Sequence, residues 1–262
     1  MEKLHIMVIG AHPDDPDYCG GLALRMIRKG HKVTYVSATD GGAGHHEMNE
    51  KDLIERRAGE CRAVAQKMGV EYHVLPNPDA RLEVNLTTRA MVMKEIREGN
   101  PDIIITHRCC DYHPDHRATG QLVMDCAYMV GVPLYCPEIP AMRKNPVILS
   151  MMDSFTHPEP FKADFCAPID DVVEQRIEGS LCHVSQYYEW LPWIDHNEPV
   201  LNAATFEEKT AILKEQHRNR PRRAVERFPQ LVPEGCAFAE AYAATEYGAP
   251  LTKELIEELV SP

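Results

Sequence analysis

The sequence lacks a long apolar run and a surplus of basic residues. No apolar stretch among the 262 residues approaches the length of a membrane-spanning helix. Lysine and arginine number 28 against 40 aspartates and glutamates, which leaves a net charge of −12. This balance argues against nucleic acid and anionic membranes as partners, although it does not exclude a local basic patch.

A paired-cysteine motif is also missing. The nine cysteines are scattered without a CxxC pair, and the adjacent Cys109 and Cys110 are poorly spaced to bridge each other. Such usage fits a reducing compartment with mostly buried thiols. No cleavable signal fits before the first apolar run, which starts at Leu4. We therefore expect a cytoplasmic protein. The sequence leaves open whether it forms a homo-oligomer.

Strand and helix signals alternate along the first half of the chain. The apolar runs 4–9 and 103–106 are predicted to be buried strands, and segments with helical spacing lie between such runs. This alternation is typical of an α/β fold, with a Rossmann-like, mostly parallel sheet and helices on both faces. We expect one domain, in which residues 1–130 form the core with the site and residues 131–262 continue and cover it.

The remaining predicted elements follow the same reasoning. The helices are predicted at 51–68, 87–98, 116–129, 172–182 and 207–216, and further strands at 33–38, 72–75 and 147–152. After Gly131 the pattern weakens, because proline-rich connections interrupt it.

Two groups of histidine and aspartate follow two of the strands. The strand 4–9 leads through Gly10 to His-Pro-Asp-Asp at 12–15, and the strand 103–106 leads to His-Pro-Asp-His at 113–116. The carboxyl ends of parallel strands share one edge of the sheet, where ligands bind in open α/β folds. One such motif alone is more often a turn with an aspartate cap. Two of them at one edge favour a metal site.

With both motifs in this order, each behind a strand, the chain resembles the PIG-L/LmbE family. Its members are zinc-dependent N-deacetylases that act mostly on compounds containing N-acetylglucosamine. The resemblance implies one zinc ion per chain, with His12, Asp15 and His116 as ligands. It also implies that Asp14 is the general base that takes a proton from the attacking water.

The resemblance assigns two further catalytic roles. His113 matches the family position for an electrophile or acid, and Asp115 matches the residue that holds this histidine in its tautomer and orientation. Asp115 could also cap the helix that follows it. Family members usually have a glutamate after the paired aspartates, whereas this chain has Pro16 and then Asp17.

Four residues are candidates for binding the substrate. Arg57 resembles a family arginine that grips the substrate, and Asp79 resembles an aspartate that binds sugar hydroxyls. A solvated helix face and a turn carboxylate are the competing interpretations. Arg108 flanks the second motif, and His183 lies in a segment similar to a recurrent family segment, with a buried structural role as its alternative. The basic run 218–223 could hold an anionic aglycone or lie on a solvated surface.

The predicted function is hydrolysis of the acetamide of a small N-acetylated amino sugar. A first alternative is an amidase of the same fold that cleaves a different amide, such as a thiol conjugate. A second is a sugar- or nucleotide-binding protein without catalysis, although Gly10 is not part of a three-glycine phosphate fingerprint. The sequence also leaves open which metal is bound in the cell, because the same ligands could bind iron or manganese.

Overall fold

Within residues 3–261, which the computed structural model describes, seven strands form one sheet in the order β3-β2-β1-β4-β5-β7-β6. The strands are β1 His5–Gly10, β2 Lys32–Ser37, β3 Glu71–Val74, β4 Ile103–Thr106, β5 Val147–Met151, β6 Phe165–Pro168 and β7 Ala239–Ala244. Strands β1 to β5 pair in parallel, whereas β7 is antiparallel to both β5 and β6.

Helices occupy most of the remaining described chain. They are α1 Gly20–Arg28, α2 Glu50–Met68, α3 Leu86–Gly99, α4 Pro114–Met129, α5 Val173–Ser180, α6 Leu191–Ile194, α7 Glu198–Leu201, α8 Phe206–Arg227 and α9 Lys253–Val260. A 3-10 helix, Asp15–Cys19, precedes α1, and a π-helix, Ser185–Trp190, precedes α6. Among residues 3–261, no helix has the length and apolarity that a membrane crossing requires.

Both faces of the sheet are buried. Alternate side chains of β1 point to opposite faces: Ile6 and Val8 pack into one apolar cluster, and Met7 and Ile9 into another. The first cluster includes residues of α1, α2, α5 and α8, and the second includes residues of α3 and α4. A parallel sheet covered by helices on both faces is the predicted fold class, which is confirmed.

The second half of the chain departs from the sequence prediction in two places. Strands β6 and β7 were not predicted, and α8, expected at 207–216, continues to Arg227. An internal proline normally ends a helix. Here Pro221 and Ala224 are buried, so tertiary packing maintains the helix through the basic run.

Glu240 on β7 connects the second half of the chain to the first helix. Its carboxylate accepts hydrogen bonds from the backbone N–H groups of Gly21 and Leu22 at the start of α1. It also lies 3.3 Å from Nε of Arg176, which is itself buried. Removing this buried carboxylate would therefore leave the charge of Arg176 and two backbone N–H donors without a partner.

We expect Glu240→Ala to lower the free energy of unfolding by about 3–5 kcal/mol, because Arg176 is left without its partner. Urea denaturation measures this loss. Glu246→Ala is the matched control, since Glu246 is exposed just beyond the same strand, and it should change stability by less than about 0.5 kcal/mol. Equal effects of the two substitutions would show that the buried contacts of Glu240 do not stabilise the fold.

Candidate metal centre

The structure brings the two histidine–aspartate motifs together at the carboxyl edge of the sheet. β1 and β4 are neighbours, with Ile9 paired to Thr106, and the strand order reverses at β1. Ligands bind in the crevice at such a switch point. Gly10 is required here, because a Cβ on it would lie 2.5 Å from Cβ of Asp15.

Two ring nitrogens and the two oxygens of one carboxylate face one another in this crevice. His12 Nδ1 lies 3.2 Å from His116 Nε2 and 3.4 Å from Asp15 Oδ2, and His116 Nε2 lies 3.5 Å from Asp15 Oδ1. Ligands bonded at about 2.0–2.1 Å to a tetrahedral zinc ion are about 3.3 Å apart. Both the donor types and their separations therefore fit a divalent metal ion.

Further potential ligands surround these atoms. Three triplets offer ligand atoms within 4.8 Å of one another: His12, His113 and His116; Asp15, His107 and His116; His12, Asp79 and Asp115. Each triplet shares at least one residue with the group formed by His12, Asp15 and His116, whose facing atoms are 3.2–3.5 Å apart. The cluster as a whole is thus one candidate metal site.

The second ring nitrogen of each central histidine faces a carboxylate. His12 Nε2 lies 3.1 Å from Asp79 Oδ1 and 3.4 Å from Asp115 Oδ2, although neither oxygen lies along the ring N–H direction. His116 Nδ1 lies 3.1 Å from Asp111 Oδ1. Carboxylates in this position orient metal-binding histidines and make them more basic.

The electrostatics of the site favour a positive charge at its centre. Burial alone would lower the pKa of His12, but Asp115, Asp15 and Asp79 raise it well above its ordinary value. Burial would raise the pKa of Asp79, yet His12 lowers it to about 2. Several ionised carboxylates converge on this point, which is the arrangement that a bound cation would neutralise.

Asp14 is bound to a buried arginine. Its Oδ1 accepts a hydrogen bond of 2.5 Å from Nη2 of Arg57, which also donates from Nη1 to the Gly41 carbonyl at 3.2 Å. Burial opposes the charge of Arg57, but Asp14 and Asp79 raise its pKa above the ordinary value. Arg57 is only 1% exposed, so this structure places it on Asp14 rather than on a substrate.

His113 is the N-cap of α4, which begins at Pro114 rather than at His116 as predicted. Its Nδ1 accepts a hydrogen bond of 3.2 Å from the backbone N–H of Asp115, which leaves the ring proton on Nε2. Burial, together with the charges of His12 and His116, lowers the pKa of His113. The ring is therefore a neutral donor at the mouth of the site.

The Asp115 carboxylate faces away from His113. It is fully buried and accepts hydrogen bonds from the backbone N–H of Ala80 at 2.7 Å and of Leu82 at 3.3 Å. Asp115 therefore positions His113 through its backbone, while its side chain anchors the loop before α3 beside His12.

The other predicted substrate residues have structural partners. Asp79 Oδ1 lies 3.1 Å from His12 Nε2, and Asp79 Oδ2 accepts a hydrogen bond of 3.0 Å from the backbone N–H of Ala43. Arg108 donates to both oxygens of Asp153 at 2.6 Å. His183 is 0% exposed and lies 3.6 Å from Asp17, which favours its alternative, a buried structural role.

His107 is a site residue that was not predicted from the sequence. This histidine is buried directly after β4, and its Nε2 lies 3.2 Å from Asp15 Oδ2. Its ring also stacks on that of His116, with centroids 4.2 Å apart. The available signal was its position, since the first residue after a central strand points into the crevice.

The buried His183 predicts an acid-sensitive stability. Burial, with a contribution from Arg57, lowers its pKa to about 3, whereas a histidine in an unfolded chain titrates near about 6.5. Between these values only the unfolded chain binds the proton, so stability is lost as the pH falls through this window. With the metal removed by chelation, the free energy of unfolding should fall by up to about 1.4 kcal/mol per pH unit from this group.

His183→Asn should remove that contribution and flatten the dependence between pH 6 and 4, as measured by urea denaturation at each pH. The control is His73→Asn, because His73 is exposed on β3. An unchanged slope in the His183 variant would show that this histidine is protonated in the folded protein.

A cavity of about 160 Å³ adjoins the centre at His116. His107, Asp111 and His116 line one side, and residues 151–155 line the other. A larger cavity of about 980 Å³ lies near Leu4, at the amino ends of the strands, away from the histidine–aspartate motifs.

A mostly parallel α/β sheet with a histidine–carboxylate cluster at its switch point defines a candidate metallohydrolase. Residues 7–127 match the family described as "PIG-L: GlcNAc-PI de-N-acetylase". This match over residues 7–127 confirms the predicted resemblance, and relatives named as deacetylases bear out the predicted enzyme class of N-deacetylase.

Comparison with individual proteins supports the same family. The chain is 27% identical over 198 residues to the diacetylchitobiose deacetylase of Thermococcus kodakarensis, covering 72% of this chain and 73% of the relative. The N,N'-diacetylchitobiose deacetylase of Pyrococcus horikoshii, solved with its inhibitor MPG, is 21% identical, with a TM-score of 0.73 over 93% of this chain and 84% of that one.

The fold alone does not fix the reaction. GalB, the 4-carboxy-2-hydroxymuconate hydratase of Pseudomonas putida, has a TM-score of 0.72 at 16% identity, covering 95% of this chain and 98% of its own. A hydratase and a deacetylase therefore share this architecture, and the reaction has to be argued from the site.

Proposed function

We propose that the protein removes the acetyl group from an N-acetylated amino sugar, in a conjugate of the N-acetylglucosamine type, and releases acetate and the free amine. The group formed by His12, Asp15 and His116 carries this proposal, since its facing atoms are 3.2–3.5 Å apart. The names of the matched family and of the Thermococcus relative both refer to N-acetylated sugars.

The proposed metal ligands are His12, Asp15 and His116, and zinc is the proposed ion. When bound, the ion supplies Lewis acidity that polarises the acetamide carbonyl and makes water more acidic. Asp111, 3.1 Å from Nδ1 of His116, orients that histidine, and Asp79 and Asp115 place negative charge beside His12.

Asp14 acts as the general base. Arg57 engages only its Oδ1, and Oδ2 accepts no hydrogen bond from residues 3–261. This second oxygen is the one that takes a proton from the attacking water. The Arg57 contact fixes the carboxylate, so that Asp14 and its neighbour Asp15 perform different tasks.

His113 stabilises the charge that develops on the carbonyl oxygen. Because its Nδ1 is occupied by the Asp115 N–H, its Nε2–H is the donor that faces the site. A neutral donor already in place at the developing oxyanion is the arrangement that lowers the barrier to acyl transfer. Either the protonated Asp14 or His113 then supplies the proton to the leaving amine.

The experiment is metal analysis of the purified protein together with acetate release from N-acetylglucosamine, N,N'-diacetylchitobiose and simple N-acetylglucosaminides. We expect about one metal ion per chain and acetate from at least one substrate. Bound metal with release only from larger acyl amides would favour the amidase alternative. Absence of metal after growth in zinc-supplemented medium would overturn the proposed centre.

A further inference from the structure

The cavity at the metal centre shares a wall with a second cavity beneath α8. The second cavity has a volume of about 380 Å³ and shares Met152, Asp153, Ser154 and Arg220 with the first. His116, a proposed metal ligand, lines the first cavity. A substrate whose acetamide lies at the centre can therefore extend past residues 152–154 toward α8.

One face of α8 lines the second cavity with positive charge. Arg220, Arg223 and Arg227 all line it, and their spacing of three and four residues places them on one side of the helix. Among residues 3–261, no carboxylate oxygen lies within 4.0 Å of these three guanidinium groups. They form an unneutralised basic face in a chain with a net charge of −12.

The other face of the same helix behaves differently. Arg218 pairs with Glu174 and Glu215, and Arg222 pairs with Glu215 at 2.5 Å. The helix thus divides the basic run into a face whose arginines pair with glutamates and a face whose arginines have no carboxylate partner among residues 3–261.

Two arginines of the face without carboxylate partners are held in place by backbone carbonyl groups. Arg220 donates to the Met152 carbonyl and lies over the Tyr18 ring, 3.7 Å from its centroid. Arg227 donates to the carbonyls of Asp153 at 2.7 Å and Phe161 at 2.6 Å.

The acidic residues of the second cavity do not cancel this charge. Asp153 is paired with Arg108, and the single negative charge of Glu226, the other acidic residue of the lining, is smaller than the charge of the three arginines. Arg223 is exposed and forms no hydrogen bond with residues 3–261. Its guanidinium is free to bind a ligand.

We propose that this second cavity, through Arg220, Arg223 and Arg227, binds an anionic group on the aglycone of the amino-sugar substrate. The inference rests on the function proposed above and adds the substrate class, a glycoside that bears a carboxylate or a phosphate. Guanidinium groups bind both anions with paired N–H donors. Positive charge focused in a cleft of an acidic protein also attracts such a substrate.

The test compares three glycosides of N-acetylglucosamine: the neutral methyl glycoside, the carboxymethyl glycoside and the 2-phosphoethyl glycoside. For the wild type we expect kcat/KM to be about tenfold higher for at least one anionic glycoside than for the neutral one, mainly through KM. The better of the two anionic glycosides distinguishes carboxylate from phosphate. High salt should reduce the preference.

Arg223→Gln should reduce the anionic-to-neutral ratio of kcat/KM by about tenfold. Arg222→Gln is the matched control, because Arg222 pairs with Glu215 on the other face of α8, and it should keep the wild-type ratio. A wild type without preference, or equal ratios in both variants, would overturn the inference.

Calorimetry separates this inference from the proposed function. Carboxymethyl and 2-phosphoethyl glucosaminides, which lack the acetyl group, should bind more tightly than methyl glucosaminide, and Arg223→Gln should remove the difference. If no glycoside releases acetate, the proposed function fails, and these binding constants still decide whether the anion site exists. Equal affinities for all three would exclude it.

Discussion

Replacing Asp14 by asparagine is expected to lower kcat for acetate release by about 10³-fold while the protein keeps its metal. The asparagine carbonyl can still accept the hydrogen bond from Arg57, so the local structure is preserved. The amide cannot take a proton from water, and only this step is lost. Steady-state kinetics and metal analysis on the same preparation measure the two quantities.

The control for this substitution is Asp125→Asn on α4, where Asp125 accepts a hydrogen bond from Gln121 far from the centre. It should keep both kcat and metal content. If Asp14→Asn lost metal in proportion to activity, Asp14 would be a ligand rather than the base. Unchanged kcat would show that another group takes the proton.

Replacing His116 by alanine is expected to weaken metal binding by at least about 100-fold and to abolish measurable turnover. His116 Nε2 faces His12 Nδ1 and Asp15 Oδ1 in the crevice, and loss of this side chain leaves two of the three proposed ligand residues. Metal titration with a competing chelator measures the affinity, and acetate release measures the turnover.

Asp111→Asn supplies an intermediate case for the same experiment. Asp111 contacts His116 Nδ1 at 3.1 Å and does not face His12 or Asp15, so its loss should weaken binding by only about 10–100-fold. The surface variant His73→Ala should bind metal like the wild type. If His116→Ala bound metal with wild-type affinity, the ion would have to bind to a group of the cluster that does not include His116.

The sequence determined the first five strands and the chemistry at their ends. Apolar runs closed by glycine or polar residues are a local signal, and β1 and β4 with their motifs were found from it. Strand β7 was not predicted, because its residues, Ala239–Ala244, are mostly alanine and include the buried Glu240. Its strand conformation comes from pairing with β5 and β6, which no local pattern contains.

The types of residue in the site also came from the sequence, but their partners did not. Only the tertiary structure showed that Arg57 binds Asp14, that Asp111 contacts His116, and that His183 lies in the interior. These contacts join residues from separate loops and helices, and their geometry is set when the sheet assembles.

The basic run 218–223 illustrates the same division. Its composition was visible in the sequence, whereas its division between two faces of a helix required that α8 continue through Pro221 to Arg227. Periodicity and motif spacing report on neighbours along the chain. Which side chains meet across the fold is decided by strand order and helix packing, because these place residues distant in sequence within a few ångströms of each other.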